Sequence, residues 1–178
     1  MDFSEILLSS NLRTILDALN NSLSQPIDPA KLNSVLDRLP VSYSLQFPSY
    51  LSIMSEALDS RSLENAKVLL QHPTFQPYPD LNYYLGFSET AFKLLLDSHK
   101  FQANSETLQR LIYAGSPQKL LMYVNSEKFV PVPEEDAAIL IMRHQGERVV
   151  HPLMQSSKIS KKYVPKELIQ QWIQSRLQ

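Results

Sequence analysis

The chain of 178 residues has no cysteine. That removes disulfides, thiolate metal ligands and cysteine nucleophiles together, and it suits a reducing compartment. Glycine is scarce, at three residues, which argues against strand-and-turn folds and against glycine-rich phosphate loops. Neither sign of charge is in excess. The formal net charge is −1, so the total points to neither nucleic acid nor an anionic membrane. No apolar run approaches the roughly 20 residues of a membrane span. The first residues, MDFSEILLSSNLR, carry acids where a secretory signal carries positive charge. The expectation is an intracellular protein, cytoplasmic or nuclear, with no membrane association.

What is present is an ordinary globular composition, 43% hydrophobic and 20% charged. It is too apolar for disorder, and the length suits a single domain over 1–178 or one short solenoid. Twelve prolines fall mostly between helical patterns, where the missing donor and the ring clash do no harm.

The organising stretch is Leu63–Phe75, LENAKVLLQHPTF: an amphipathic helix, a short loop and one apolar anchor. Its tail is two adjacent apolar residues, a mostly polar segment, then a large apolar residue. The pattern recurs as Leu69-Leu70 with Phe75, Leu95-Leu96 with Phe101, Tyr123-Val124 with Phe129, and Leu153-Met154 with Ile159. A weaker copy, Val35-Leu36 with Val41, precedes them, and the anchors step by 34, 26, 28 and 30 residues. Helical spacing predicts helices over 3–23, 28–39, 50–59, 63–72, 81–86, 89–99, 105–114, 118–125, 134–145, 147–156 and 166–177. Asp28 before Pro29 reads as a cap with proline at the first helical position. Gly86, Gly115 and Gly146 fall at the break between two helices, 10, 9 and 8 residues before Leu96, Val124 and Met154, and Ser60 holds the matching place before Leu70. A glycine there can take the positive φ that closes a helix.

Helix pairs with a period near 30 cannot bury a face alone and must stack. The segments GFSETAFKLLLDSHKF, GSPQKLLMYVNSEKF, GERVVHPLMQSSKI and LENAKVLLQHPTFQP resemble the second half of ankyrin repeats. The likeness covers about residues 50–160. It lacks the family's Thr-Pro-Leu-His turn, whose nearest match is Glu106-Thr107-Leu108-Gln109. The resemblance implies an all-α, short right-handed solenoid of stacked helix pairs, with little or no β structure. Residues 1–49 would be an N-terminal helical cap and first degenerate unit, 50–160 the helix pairs, and 161–178 a C-terminal capping helix bearing Trp172. It also implies that loops and first helices form a partner-binding surface.

Two stretches are candidates for that surface. YPDLNYYLGF offers Tyr78, Asp80, Tyr83, Tyr84 and Phe87, and amphipathic aromatics are enriched at interface hot spots. The end of the chain holds Lys158, Lys161, Lys162, Lys166 and Arg176 against Glu167, a segment charge of +4 that leaves −5 for the remainder of a chain of net −1. Lys161 and Lys162 are its centre.

Chemistry is thinly marked. HExxH, GxSxG and paired cysteines are missing, and no serine has a base at a recognisable spacing. His72 and His99 follow successive helices one residue apart in register, which suits exposed loop histidines better than a metal pair. Glu134-Glu135-Asp136 reads as acids at a helix start. The expectation is a non-enzymatic protein–protein interaction module, such as an adaptor, assembly chaperone, complex subunit or effector, with no cofactor, metal or small-molecule substrate. The alternatives are a small α-helical enzyme or metal-binding protein using its histidines and acids, and a nucleic-acid binder acting through the basic end.

Overall fold

The computed structural model describes residues 11–39, 48–60 and 63–132, with 170 and 174. The start of the first expected helix, the anchors Val41, Leu45 and Phe47, the pair around Gly146 and Met154, and the segment with Lys161, Lys162 and Trp172 lie outside the described residues.

The described chain is mostly helical, as an all-α reading requires. Seven α-helices are delimited: α1 Leu12–Ser22, α2 Pro29–Leu36, α3 Pro48–Asp59, α4 Glu64–Gln71, α5 Glu89–Asp97, α6 Ser105–Ala114 and α7 Pro117–Asn125. A short 3-10 helix spans Leu81–Tyr84. Among the described residues extended backbone pairs once, as a parallel bridge between Asp80 and Gln102.

The local reasons are legible. Asn11 caps α1 by accepting from Arg13 N at 3.0 Å, and Asp28 caps α2 by accepting from Lys31 N at 3.0 Å, with Pro29 at the start of the helix. Pro117 opens α7 in the same way. Pro73 follows directly on His72, the residue that closes α4. Gly115 takes φ +64 and ends α6, the left-handed cap expected of it.

Two closures differ from the sequence reading. Gly86 does not adopt positive φ; the chain turns there through Leu85 and the end of the 3-10 helix. At the start of α4 the left-handed residue is Leu63, at φ 53, and not Ser60. A branched side chain pays steric strain there that glycine would not, about 1–2 kcal/mol. Leu63 is buried, so its side chain recovers some of that through burial.

The contacts divide into two compact blocks. One is Met1–Pro79 with Ser98–Phe101, and the other is Asp80–Asp97 with Gln102–Gln178. In the first block α1 packs on α3, α2 packs on α4, and α3 and α4 form a hairpin. In the second block the 3-10 helix packs on α6, α5 packs on α7, and α6 and α7 form a hairpin. So within each block, the first helix of one pair lies on the first helix of the next, and the second helix on the second.

The recurring apolar pairs are the seams of this packing. Val35, Leu36, Leu69, Leu70, Leu95, Leu96, Tyr123 and Val124 are all buried. The anchors Phe75 and Phe101 are buried as well, each 1% exposed. Each such residue contributes roughly 1.5–3 kcal/mol by leaving water.

Candidate functional site

The buried polar side chains follow a rule that runs beneath the apolar pattern. Asn65 lies five residues before Leu70, and Lys119 lies five before Val124. Asn65 Nδ2 donates to Leu23 O at 2.9 Å and to Gln25 O at 2.7 Å, and its Oδ1 accepts from Ile27 N at 3.1 Å. Lys119 Nζ donates to Leu85 O at 2.8 Å. Leu23 closes α1 and Leu85 closes the 3-10 helix. Each side chain therefore satisfies the end of the first helix one pair back.

A second set lies just before the anchors. Thr74 Oγ1 reaches Leu36 O at 3.4 Å, at the end of α2. Lys100 Nζ donates to three carbonyls, Leu69 O at 3.3 Å, Phe75 O at 2.6 Å and His72 O. It also stands 6.0 Å from the centroid of the Phe75 ring. Burial pushes the Lys100 ammonium below the ordinary lysine value. Lys128 precedes Phe129 in the same way. Burial pushes it down too, against the opposing pull of Glu127 and of Asp97, the last residue of α5.

His72 belongs with this set. It is buried, and its Nε2 lies 3.1 Å from Asp37 Oδ1, on the residue that closes α2. A carboxylate oxygen only accepts, so Nε2 carries the proton. Nδ1 then faces the Thr74 hydroxyl at 3.0 Å. Threonine, histidine and aspartate in line resemble a nucleophilic relay, but the hydroxyl also faces Leu36 O and the ring is 5% exposed. The arrangement fastens the ends of α2 and α4. His99 is exposed, and among the described residues no group of three His, Cys, Asp or Glu side chains could hold a metal ion.

The aromatic stretch is divided by burial. Tyr84 is 0% exposed and sits in the core, 6.3 Å between ring centroids from Phe87. It cannot serve as the partner anchor that the sequence reading made of it, because a four-residue 3-10 helix turns one of two adjacent tyrosines inward. Tyr83 faces out, at 57% exposed, and Tyr78, in the first block, is 36% exposed. Phe87 is half-buried. Asp80, also half-buried, accepts from Asn82 N at 2.9 Å and so caps the 3-10 helix. Its first role is structural.

The structure adds Tyr113, 51% exposed on α6. Leu108, Leu111 and Ile112 face the core, which leaves Glu106, Gln109, Arg110 and Tyr113 on one exposed stripe. Arg110 sends Nε at 3.2 Å and Nη2 at 2.9 Å to Glu106 Oε2. The helical phase of Leu108, Leu111 and Ile112 already marks Tyr113 as outward-facing in the sequence.

A polar ladder aligns the elements that carry Tyr83 and Tyr113. Asn104 caps α6 by accepting from Glu106 N at 2.9 Å, and its N–H donates to the Thr107 hydroxyl at 3.0 Å, completing a capping box. Asn82 Nδ2 donates to Asn104 Oδ1 at 2.9 Å, Asn104 Nδ2 donates to Asp80 Oδ2 at 3.4 Å, and Leu81 N donates to Gln102 O at 3.0 Å. The caps of the two elements are thus bonded to each other.

No family model, curated protein or solved structure matches the chain. No helix among the described residues is long and apolar enough to cross a membrane.

Proposed function

We propose that the chain is a short stack of ankyrin-like helix pairs that binds a partner protein through its first-helix and loop face, with no chemistry of its own. The observation that carries this reading is the pairing order. First helices lie on first helices and second on second within each block. The buried polar side chains reach back one pair at fixed register. Stacking of that kind leaves a rigid scaffold whose loops and outer helix faces are open to partners.

On that face the second block carries the residue types that dominate interface energetics. Tyr83 lies on the 3-10 helix, and Arg110 and Tyr113 lie on α6. Tyrosine supplies large contact area at low side-chain entropy cost, with a hydroxyl that remains useful at a wet rim. Lys161 and Lys162, in the basic C-terminal segment, are a further candidate contact for an acidic partner.

Affinity capture from the native source identifies the partner. Calorimetry with purified components then compares Tyr83→Ala, Tyr113→Ala and the Lys161→Ala, Lys162→Ala double variant with the parent chain. Loss of more than about 1 kcal/mol at Tyr83 or Tyr113 supports the face. Unchanged affinity in both tyrosine variants rejects it, and a loss confined to the lysine variant moves the site to the C-terminal segment.

A further inference from the structure

The four residues of the 3-10 helix make little more than one turn, too short to hold a position by its own hydrogen bonds. Leu81 and Tyr84 lie on one side of it, and both are buried. Apolar contact is non-directional, so it settles which side faces inward but not how the turn is set against α6. That falls to directional bonds. Leu81 N is bonded to Gln102 O at 3.0 Å, which pins one point. A second point is needed to stop the turn pivoting about it, and Asn104 supplies it.

Chemistry fixes how the Asn104 amide is turned. Its Oδ1 accepts from Glu106 N, and an N–H only donates, so Nδ2 faces Asp80. The same oxygen accepts from Asn82 Nδ2. Asn104 thus meets Asp80 and Asn82 together, while its own backbone N–H is held by the Thr107 hydroxyl. Thr107 is buried and also bonds the Tyr123 side chain, so the joint is anchored in the interior. All of these residues belong to the second block.

On the partner-binding reading of this face, we infer that Asn104 is its positioning residue. The side-chain amide sets the angle of the 3-10 helix to α6, and with it the place of Tyr83 relative to Arg110 and Tyr113. Capping α6 is a separate role of the same side chain.

Asn104→Ser separates the two roles, because serine caps as well as asparagine but is too short to reach Asp80 and Asn82. Residual dipolar couplings and amide exchange of the full chain are compared with the parent. The couplings of Leu81–Tyr84 should no longer fit the parent orientation relative to α6. The Asn82 and Tyr83 amides should exchange about tenfold faster, the worth of roughly one net hydrogen bond. The α6 amides should stay within about twofold of the parent. Asn104→Asp keeps the bonds from Glu106 N and Asn82 but turns a carboxylate on Asp80, and should loosen the same amides. Adding Asp80→Asn should restore them, a rescue that capping alone would not produce. Asn82→Ala reaches the joint from the other side and should reproduce the reorientation if Asn104→Ser does not fold. Parent-like couplings in both Asn104→Ser and Asn82→Ala, or loosening confined to α6, would overturn the assignment. No partner enters these measurements, so their failure leaves the partner-binding reading to be decided by the calorimetry.

Discussion

Asn65 and Lys119 stand at one register of their helices, and each bonds the carbonyl of the residue that ends the preceding pair's first helix, Leu23 and Leu85 respectively. The two differ in how completely they do it. Asn65 is 0% exposed and also holds Gln25 O and Ile27 N, so one amide makes three bonds to the turn between α1 and α2. Lys119 makes one bond from a long stem, and burial pushes its pKa down against the pull of Glu89.

Asn65→Ala should therefore cost more than Lys119→Met. The first strands two carbonyls and one N–H, for about 2–4 kcal/mol, and the second strands one carbonyl, for about 1–2 kcal/mol. Urea denaturation of both variants checks the order. A cost at Asn65 no larger than at Lys119 would mean that water replaces the amide.

Leu63 offers a direct reading of backbone strain. At ordinary positions glycine is worse than alanine by roughly 0.5–1 kcal/mol. At φ 53 the order should reverse, with Leu63→Gly about 1 kcal/mol more stable than Leu63→Ala, since both lose the same buried side chain and only glycine is relieved. Thermal unfolding of the two variants decides it, and alanine above glycine would refute the left-handed assignment.

Alkaline pH should act through Tyr123. Burial pushes its phenol above the ordinary value, opposed by hydrogen bonds with Val130 N and the Thr107 side chain. The folded state keeps the proton that the unfolded chain releases near pH 10, so this contribution is intact below about 10 and is lost as pH rises toward the folded pKa. Lys100, Lys119 and Lys128 act in the opposite sense, because burial lowers all three. Stability should gain from them as pH climbs from their folded values to about 10.4, where the unfolded chain also loses its protons. Denaturation midpoints against pH should thus show a fall beyond pH 10 that is shallower in Tyr123→Phe than in the parent chain. Parallel curves would remove Tyr123 from the account.

Adjacent tyrosines should separate stability from recognition. Tyr84→Ala empties a fully buried site and should cost about 3–5 kcal/mol. Tyr83→Ala should stay within about 0.5 kcal/mol of the parent, as exposed substitutions do. A large loss at Tyr83 would show that its ring is part of the packing.

The helices were readable because their punctuation is chemical. Pro29, Pro73 and Pro117 and the cap Asp28 act through local backbone geometry, and the apolar pairs repeat at a spacing that stacking enforces. One polar tether was written in the sequence too, as the lysine before an anchor at Lys100. It was not readable as a tether, since lysine is almost always exposed and nothing local says which carbonyls it will meet. Tyr83 and Tyr84 could not be told apart because four residues are too few to set a helical phase. Leu63 takes a conformation imposed by chain closure that its own residue type disfavours, so no local rule points to it.

The shortness of the 3-10 helix has a geometric consequence. Four residues at about 2.0 Å each rise roughly 8 Å, while the ten of α6 at about 1.5 Å rise roughly 15 Å. Asn82 and Asn104 bring the two elements level at their starts. The 3-10 helix therefore stops about halfway along its neighbour, and α6 continues past it as a ledge bearing Arg110 and Tyr113. Under the proposed function, that overhanging stretch of α6 is where a partner chain would meet the row of first helices. Under the same proposal, lengthening the 3-10 helix by one turn would shorten the overhang and weaken the partner's hold on Arg110 and Tyr113.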